Sequence, residues 1–136
     1  MSIEEVVAIG KEAGVPPSIT KALMWEESRG FVKAKSKMVK GYRSLGLYQL
    51  YSNPSNLHEL LNKFWYPRLD GFVGERWAFD IWNPRDNAKV GLRYLSALRR
   101  QYGSWYNALL FYNAGTIKKA PKSTRDYARR ITNAKQ

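Results

Sequence analysis

Two carboxylates stand side by side at the end of an apolar segment, Glu26 and Glu27 in Trp25-Glu26-Glu27-Ser28, and no further Asp or Glu occurs from Ser28 to His58. Over that same span the chain carries Arg29, Lys33, Lys35, Lys37, Lys40 and Arg43. A carboxyl held at the edge of an apolar face loses solvation, so its pKa rises above the reference of roughly 4.3 and it can donate a proton near neutral pH. Such a group suits general acid chemistry at a glycosidic oxygen. Most glycosidases, however, pair the acid with a second carboxylate that serves as base or nucleophile. Without an acidic partner nearby in sequence, the pattern favours the exception to that rule, in which the substrate itself assists.

The helix that must carry these acids is marked by Ile19, Ala22 and Leu23 on its buried side. It is started by Pro16-Pro17, runs to about Arg29 and is closed by Gly30. Continued at about 3.6 residues per turn, that side passes near both glutamates, with Glu26 closer to its centre. Periodicity therefore does not say which one does chemistry, and either could be an ordinary surface residue at a helix end. Residues 3–13 form an earlier helix ending at Gly14. From Phe31 to Tyr51 the pattern breaks into Lys, Gly and β-formers, as expected for an irregular loop or short hairpin. Leu57, Leu60, Leu61 and Phe64 predict a helix over 54–66. Asn83-Pro84-Arg85-Asp86 opens another that lasts to Gly103, a further one runs from Ser104 to Ala114, and Ser123-Thr124-Arg125-Asp126 reads as a capping box opening a last basic helix.

The chain's 136 residues, 44% hydrophobic and 14% aromatic, suit a single domain over 1–136 with one core. With no cysteine and one histidine, His58, a disulfide framework, a thiolate metal site and a histidine triad are all disfavoured. No metal or cofactor is expected. A net charge of +12 draws the protein to polyanions, whether nucleic acid, anionic lipid or bacterial wall polymer. Neither a recognition-helix signature nor an RNA-binding motif accompanies that charge, so specific nucleic-acid binding is not expected. The acidic start Met1-Ser2-Ile3-Glu4-Glu5 shows no signal peptide, and no apolar run is long enough to span a membrane.

In order and approximate spacing, Glu27-Ser28, Ser36, Gly46-Leu47-Tyr48-Gln49-Leu50, Phe111-Tyr112-Asn113-Ala114-Gly115 and Thr124-Arg125-Asp126-Tyr127 resemble the catalytic domain of soluble lytic transglycosylases, family 23 of the glycoside hydrolases. The stretch from Phe79 through Asn87 to Leu95 resembles the segment entering that family's long helix, so the likeness spans about residues 13–133. It implies a mostly α, lysozyme-like α+β fold: a single helical domain with a short hairpin or irregular loop around residues 36–50. It also implies a cleft for the N-acetylmuramic acid and N-acetylglucosamine strand of peptidoglycan. By this resemblance Glu27, directly followed by Ser28, is the single catalytic acid/base and Glu26 a neighbour. Ser28, Ser36, Tyr48, Gln49, Tyr51, Tyr112, Asn113 and Tyr127 are then the substrate-binding set, with Tyr112 suited to hold Glu27 or the substrate acetamido group. Tyr48 and Tyr51 stand where the family often has methionine, which predicts a more aromatic, hydroxyl-bearing cleft floor.

The implied reaction cleaves the β-1,4 bond after muramic acid and leaves 1,6-anhydro ends, by a monomeric enzyme. A goose-type lysozyme-like muramidase is the rival, with Asp70, Glu75 or Asp80 as its second acid; a basic nucleic-acid-binding module is the more distant one. Without a visible leader, a phage lysis or virion enzyme released by holin-type lesions fits, as does a bacterial enzyme whose leader is missing from this sequence.

Overall fold

A reciprocal cap starts the first helix: the Ser2 hydroxyl accepts from the Glu5 amide while the Glu5 carboxylate accepts from the Ser2 amide. This helix, α1 (Ile3–Ala13), ends at Gly14 with φ 82°, a left-handed turn that costs glycine nothing. The computed structural model describes residues 1–37, 43–52 and 80–135. Along them lie α2 (Pro17–Ser28), β1 (Arg43–Leu45), β2 (Leu50–Ser52), α3 (Pro84–Tyr102), α4 (Trp105–Ala114) and α5 (Lys122–Thr132). The two strands pair antiparallel, Arg43 with Ser52 and Leu45 with Leu50, so the segment that the sequence allows as loop or hairpin contains a hairpin. The helix expected over 54–66, and with it His58, Asp70 and Glu75, lies outside the described residues.

Two helix ends differ from the sequence reading. Helix α2 is closed by Arg29 in the left-handed region, φ 55°, one residue before the expected Gly30. The expected capping box of α5 does not form, because the helix already starts at Lys122 behind Pro121. Thr124 is then buried inside the first turn, while Asp126 pairs with Lys122 at 2.8 Å and Arg129 at 3.5 Å.

Helix α1 packs on α2 and α3, α3 on α4, α4 on α5, and α5 returns to α2, so the last helix meets the one that carries the two glutamates. Leu23, Leu92, Leu95, Leu98, Leu109 and Ile131 are at most 1% exposed where these helices meet. At about 2 kcal/mol for each such side chain, their burial is the main force holding the helices in place.

Leu47, Tyr48 and Leu50 seat the hairpin segment in the core, and one buried amide ties it to α3. Asn87 accepts from the Tyr48 amide at 2.7 Å and donates to the carbonyls of Leu45 and Ile81 at 3.0 and 2.9 Å. Gly46, φ 79°, is required in this turn, since a Cβ there would collide with Asn87 Nδ2. Because Asn87 bonds three backbone groups from a buried position, Asn87→Ala should destabilise the fold by about 3 kcal/mol, read as a lower midpoint in urea unfolding. An unchanged midpoint would show that the hairpin does not depend on this amide.

Candidate active site

The last turn of α2 presents Glu26 and Glu27 to α5, where Tyr127 and Arg130, three residues apart, share one face. The Tyr127 hydroxyl donates to Glu27 Oε2 at 2.5 Å. Arg130 grips Glu26 with both arms of its guanidinium, Nε to Oε2 at 3.1 Å and Nη2 to Oε1 at 2.9 Å. Two neighbours in sequence thus acquire opposite chemistry. Arg130's hydrogen bond holds Glu26 below its ordinary value and keeps it ionised. Burial pushes Glu27 from 4.5 up to about 7, with the Tyr127 hydrogen bond opposing that rise and the Glu26 charge adding to it. Tyr127 is 6% exposed, and burial raises its own hydroxyl well above the usual range, so it stays a donor.

Glu27 opens into a cleft of about 340 Å³ lined by Ser44, Gln49 and Leu50 of the hairpin segment, Tyr94 of α3, and Phe111 to Gly115 at the end of α4. The Tyr94 and Tyr112 rings lie 5.5 Å apart and tilted by 36°, forming an aromatic wall. Gly91 makes the close approach behind that wall, since a Cβ there would meet Tyr48 Cβ at 2.8 Å and the Tyr112 hydroxyl at 3.2 Å.

Of the residues singled out in the sequence, Glu27, Gln49, Tyr112 and Asn113 line the cleft, and Tyr127 touches Glu27 from behind. Gln49 donates from Nε2 to the carbonyls of Ala34 and Gly46, both at 2.9 Å, which folds its side chain onto its own loop. Ser36 is exposed and accepts from the Ser44 amide at 2.8 Å, bracing β1 from outside the cleft lining. Ser28 is buried, bonded to the Met24 carbonyl at 3.2 Å.

Tyr48 requires a correction. Its side chain is 0% exposed and its hydroxyl donates to the Thr20 carbonyl at 2.8 Å, so it belongs to the core and not to the cleft floor. Tyr51 pairs with Ser44 in the hairpin, but its side chain lies outside the described residues. Tyr112, expected to hold Glu27 or the substrate acetamido group, donates to the Tyr48 carbonyl at 2.5 Å, and the hydroxyl on Glu27 is that of Tyr127.

The family model described as the transglycosylase SLT domain matches residues 6–135. The chain belongs to the transglycosylase SLT family. This bears out the resemblance read from the sequence motifs and extends it toward both ends of the chain. Among solved structures, an inactive glutamate-to-glutamine mutant of the lytic transglycosylase Slt from Pseudomonas aeruginosa is similar in fold, with a TM-score of 0.70 and 22% identity. The likeness covers 94% of this chain and 22% of that one, so this SLT domain spans about a fifth of the Slt chain. No curated protein matches the chain.

Sequence reasoning missed Tyr94, Ser44 and Arg130 in this SLT domain. Tyr94 sits on the α3 stripe just before Leu95, where spacing alone reads as core, and only the pairing of Arg130 with Glu26 shows that a basic-helix arginine has a specific partner.

The shifted carboxyl predicts a stability signature. Glu27's folded value of about 7 exceeds its ordinary 4.5, so the folded state binds the extra proton between these limits. Its contribution is full below pH 4.5 and is lost as pH rises through 7, by up to about 3 kcal/mol. Unfolding midpoints of Glu27→Gln should therefore overtake wild type toward pH 8 and lose that slope; parallel curves would place Glu27 in water. The neighbours should shift the titration in opposite directions, upward for Tyr127→Phe and downward for Glu26→Gln, as tracked by carboxyl-carbon NMR.

Proposed function

We propose that this SLT domain is a peptidoglycan lytic transglycosylase in which Glu27 serves as both acid and base. The observation that carries the reading is the composition of the cleft. Apart from Glu27, its lining residues come from two acid-free stretches, Ser28 to His58 and Asn87 to Arg125, so Glu27 is the one carboxyl lining it among the described residues. Asp80, a candidate second acid for a hydrolase, instead accepts from the Trp82 amide at 2.9 Å where the chain enters α3. The glutamate-to-glutamine change in the inactive Slt mutant is in keeping with chemistry that rests on one glutamate.

In the proposed reaction, protonated Glu27 donates to the glycosidic oxygen between muramic acid and glucosamine as that bond to C1 breaks. The muramic acetamido oxygen stabilises the cationic C1 in place of a protein carboxylate. Glu27, now ionised, takes the proton from the muramic C6 hydroxyl while that oxygen bonds to C1. Water is not consumed, and the glutamate ends protonated as it began. Its value of about 7 suits both halves, because neither state is far from neutral pH. Tyr127 fixes the rotamer of the carboxyl through Oε2, leaving Oε1 for the proton in transit. The Tyr94 and Tyr112 wall offers ring faces for sugar contacts, and Gln49, Asn113 and the hairpin complete the binding set. The place of action is the bacterial cell wall; the charge of +12 assists adsorption to anionic wall polymer, which salt should weaken.

Glu27→Gln should abolish clearing of purified sacculi with the fold intact, whereas Glu26→Gln should retain most activity. Mass spectrometry of the wild-type digest should show muropeptides ending in 1,6-anhydro-muramic acid, one water lighter than hydrolysis products. A digest dominated by reducing-end muramic acid would sink the transglycosylase route in favour of the muramidase.

A further inference from the structure

Asn113 is exposed at the cleft, yet its amide is not free to turn. The Thr124 hydroxyl, on a residue only 2% exposed, donates to Asn113 Oδ1 at 2.6 Å. Reversing the amide would place its NH2 against that hydroxyl and oblige the hydroxyl proton to find another buried acceptor. The bond from Thr124 therefore fixes which end of the amide is free. Oδ1 is occupied from inside, and Nδ2, a donor with no acceptor capacity, is left for the cleft.

We propose that Thr124 is a positioning residue that, through Asn113, makes the cleft selective for an acetamido carbonyl oxygen of the glycan. This rests on the reading of the cleft as a glycan site. A group that can only donate is best matched by an atom that can only accept, and sugar hydroxyls, which do both, are a poorer match than a carbonyl. Phe111, Ala114 and Leu50 line the same cleft, and their apolar atoms suit a neutral group bearing a methyl rather than a carboxylate. A Thr hydroxyl three residues before Tyr127 thus joins the same helix to substrate recognition as well as to Glu27.

Binding measured on the inactive Glu27→Gln protein separates this from a purely structural role. The probes are a purified peptidoglycan tetrasaccharide and its de-N-acetylated counterpart, titrated by calorimetry. Thr124→Val should weaken the acetylated probe by about 5- to 10-fold and leave the other nearly unchanged, while Thr124→Ser should restore the parent value. Asn113→Ala should show the same selective loss, and adding Thr124→Val to it should change nothing further. Equal losses on both probes, no loss on either, or failure of serine to restore would overturn the proposal; should the valine variant not fold, Asn113→Ala decides by the same criterion. Reducing-end products from the wild-type enzyme would overturn the transglycosylase route alone, since these binding ratios do not depend on whether water or the C6 hydroxyl captures C1.

Discussion

The contact between the last turn of α2 and the face of α5 governs this molecule's chemistry. Adjacent carboxyls of the same type would titrate together in water. Here a tyrosine hydroxyl and a guanidinium, one helical turn apart, each take one of them. The charged partner goes to Glu26, which is thereby held ionised, and the neutral partner goes to Glu27, which is left to feel its desolvation. A guanidinium at Glu27 would remove the proton that the site needs, and Glu26, which lacks the burial that raises Glu27, would not take over its role. The position of α5 depends in turn on Ile131, Ala128 and Tyr127 packing into the common core.

The second wall of the cleft is built on a different principle. Besides burying Leu47, Tyr48 and Leu50, the hairpin is tied by directional bonds: Asn87 from α3, the Gln49 amide within the loop, and Tyr112 from α4 on the Tyr48 carbonyl. Tyr48 sends its ring and hydroxyl inward to the Thr20 carbonyl on α2. One residue thereby connects the helix of the acid, the hairpin and the aromatic wall. Aromatic character there bears on cleft geometry through packing.

Much of this was legible in the residues. Helices α1, α3 and α4 could be read from proline or polar starts, apolar spacing and terminal glycines, all of which act within one or two turns of chain. The motifs around Glu27, Gly46 to Leu50, and Phe111 to Gly115 pointed to the family and most of the cleft. The start of α5 differs from the sequence reading because Ser123 and Asp126 have the spacing of a capping box, while the helix already begins at Lys122 and Asp126 turns to Lys122 and Arg129. Tyr48 was misplaced because a tyrosine in a turn reads alike whether its ring faces solvent or core.

What the sequence determined by itself was the supply of groups: one segment ending in two carboxylates, acid-free stretches around it, no thiols, and a strongly basic surface. Those facts are additive properties of composition and local order, and they limit the chemistry before any folding. The tertiary structure decided which carboxylate is protonated near neutral pH, which tyrosine holds it and which way an amide faces. For the acids, the deciding partners lie far along the chain, 100 residues for Tyr127 with Glu27 and 104 for Arg130 with Glu26. Desolvation and hydrogen bonding act over a few ångströms of space, and distance along the chain carries no record of them.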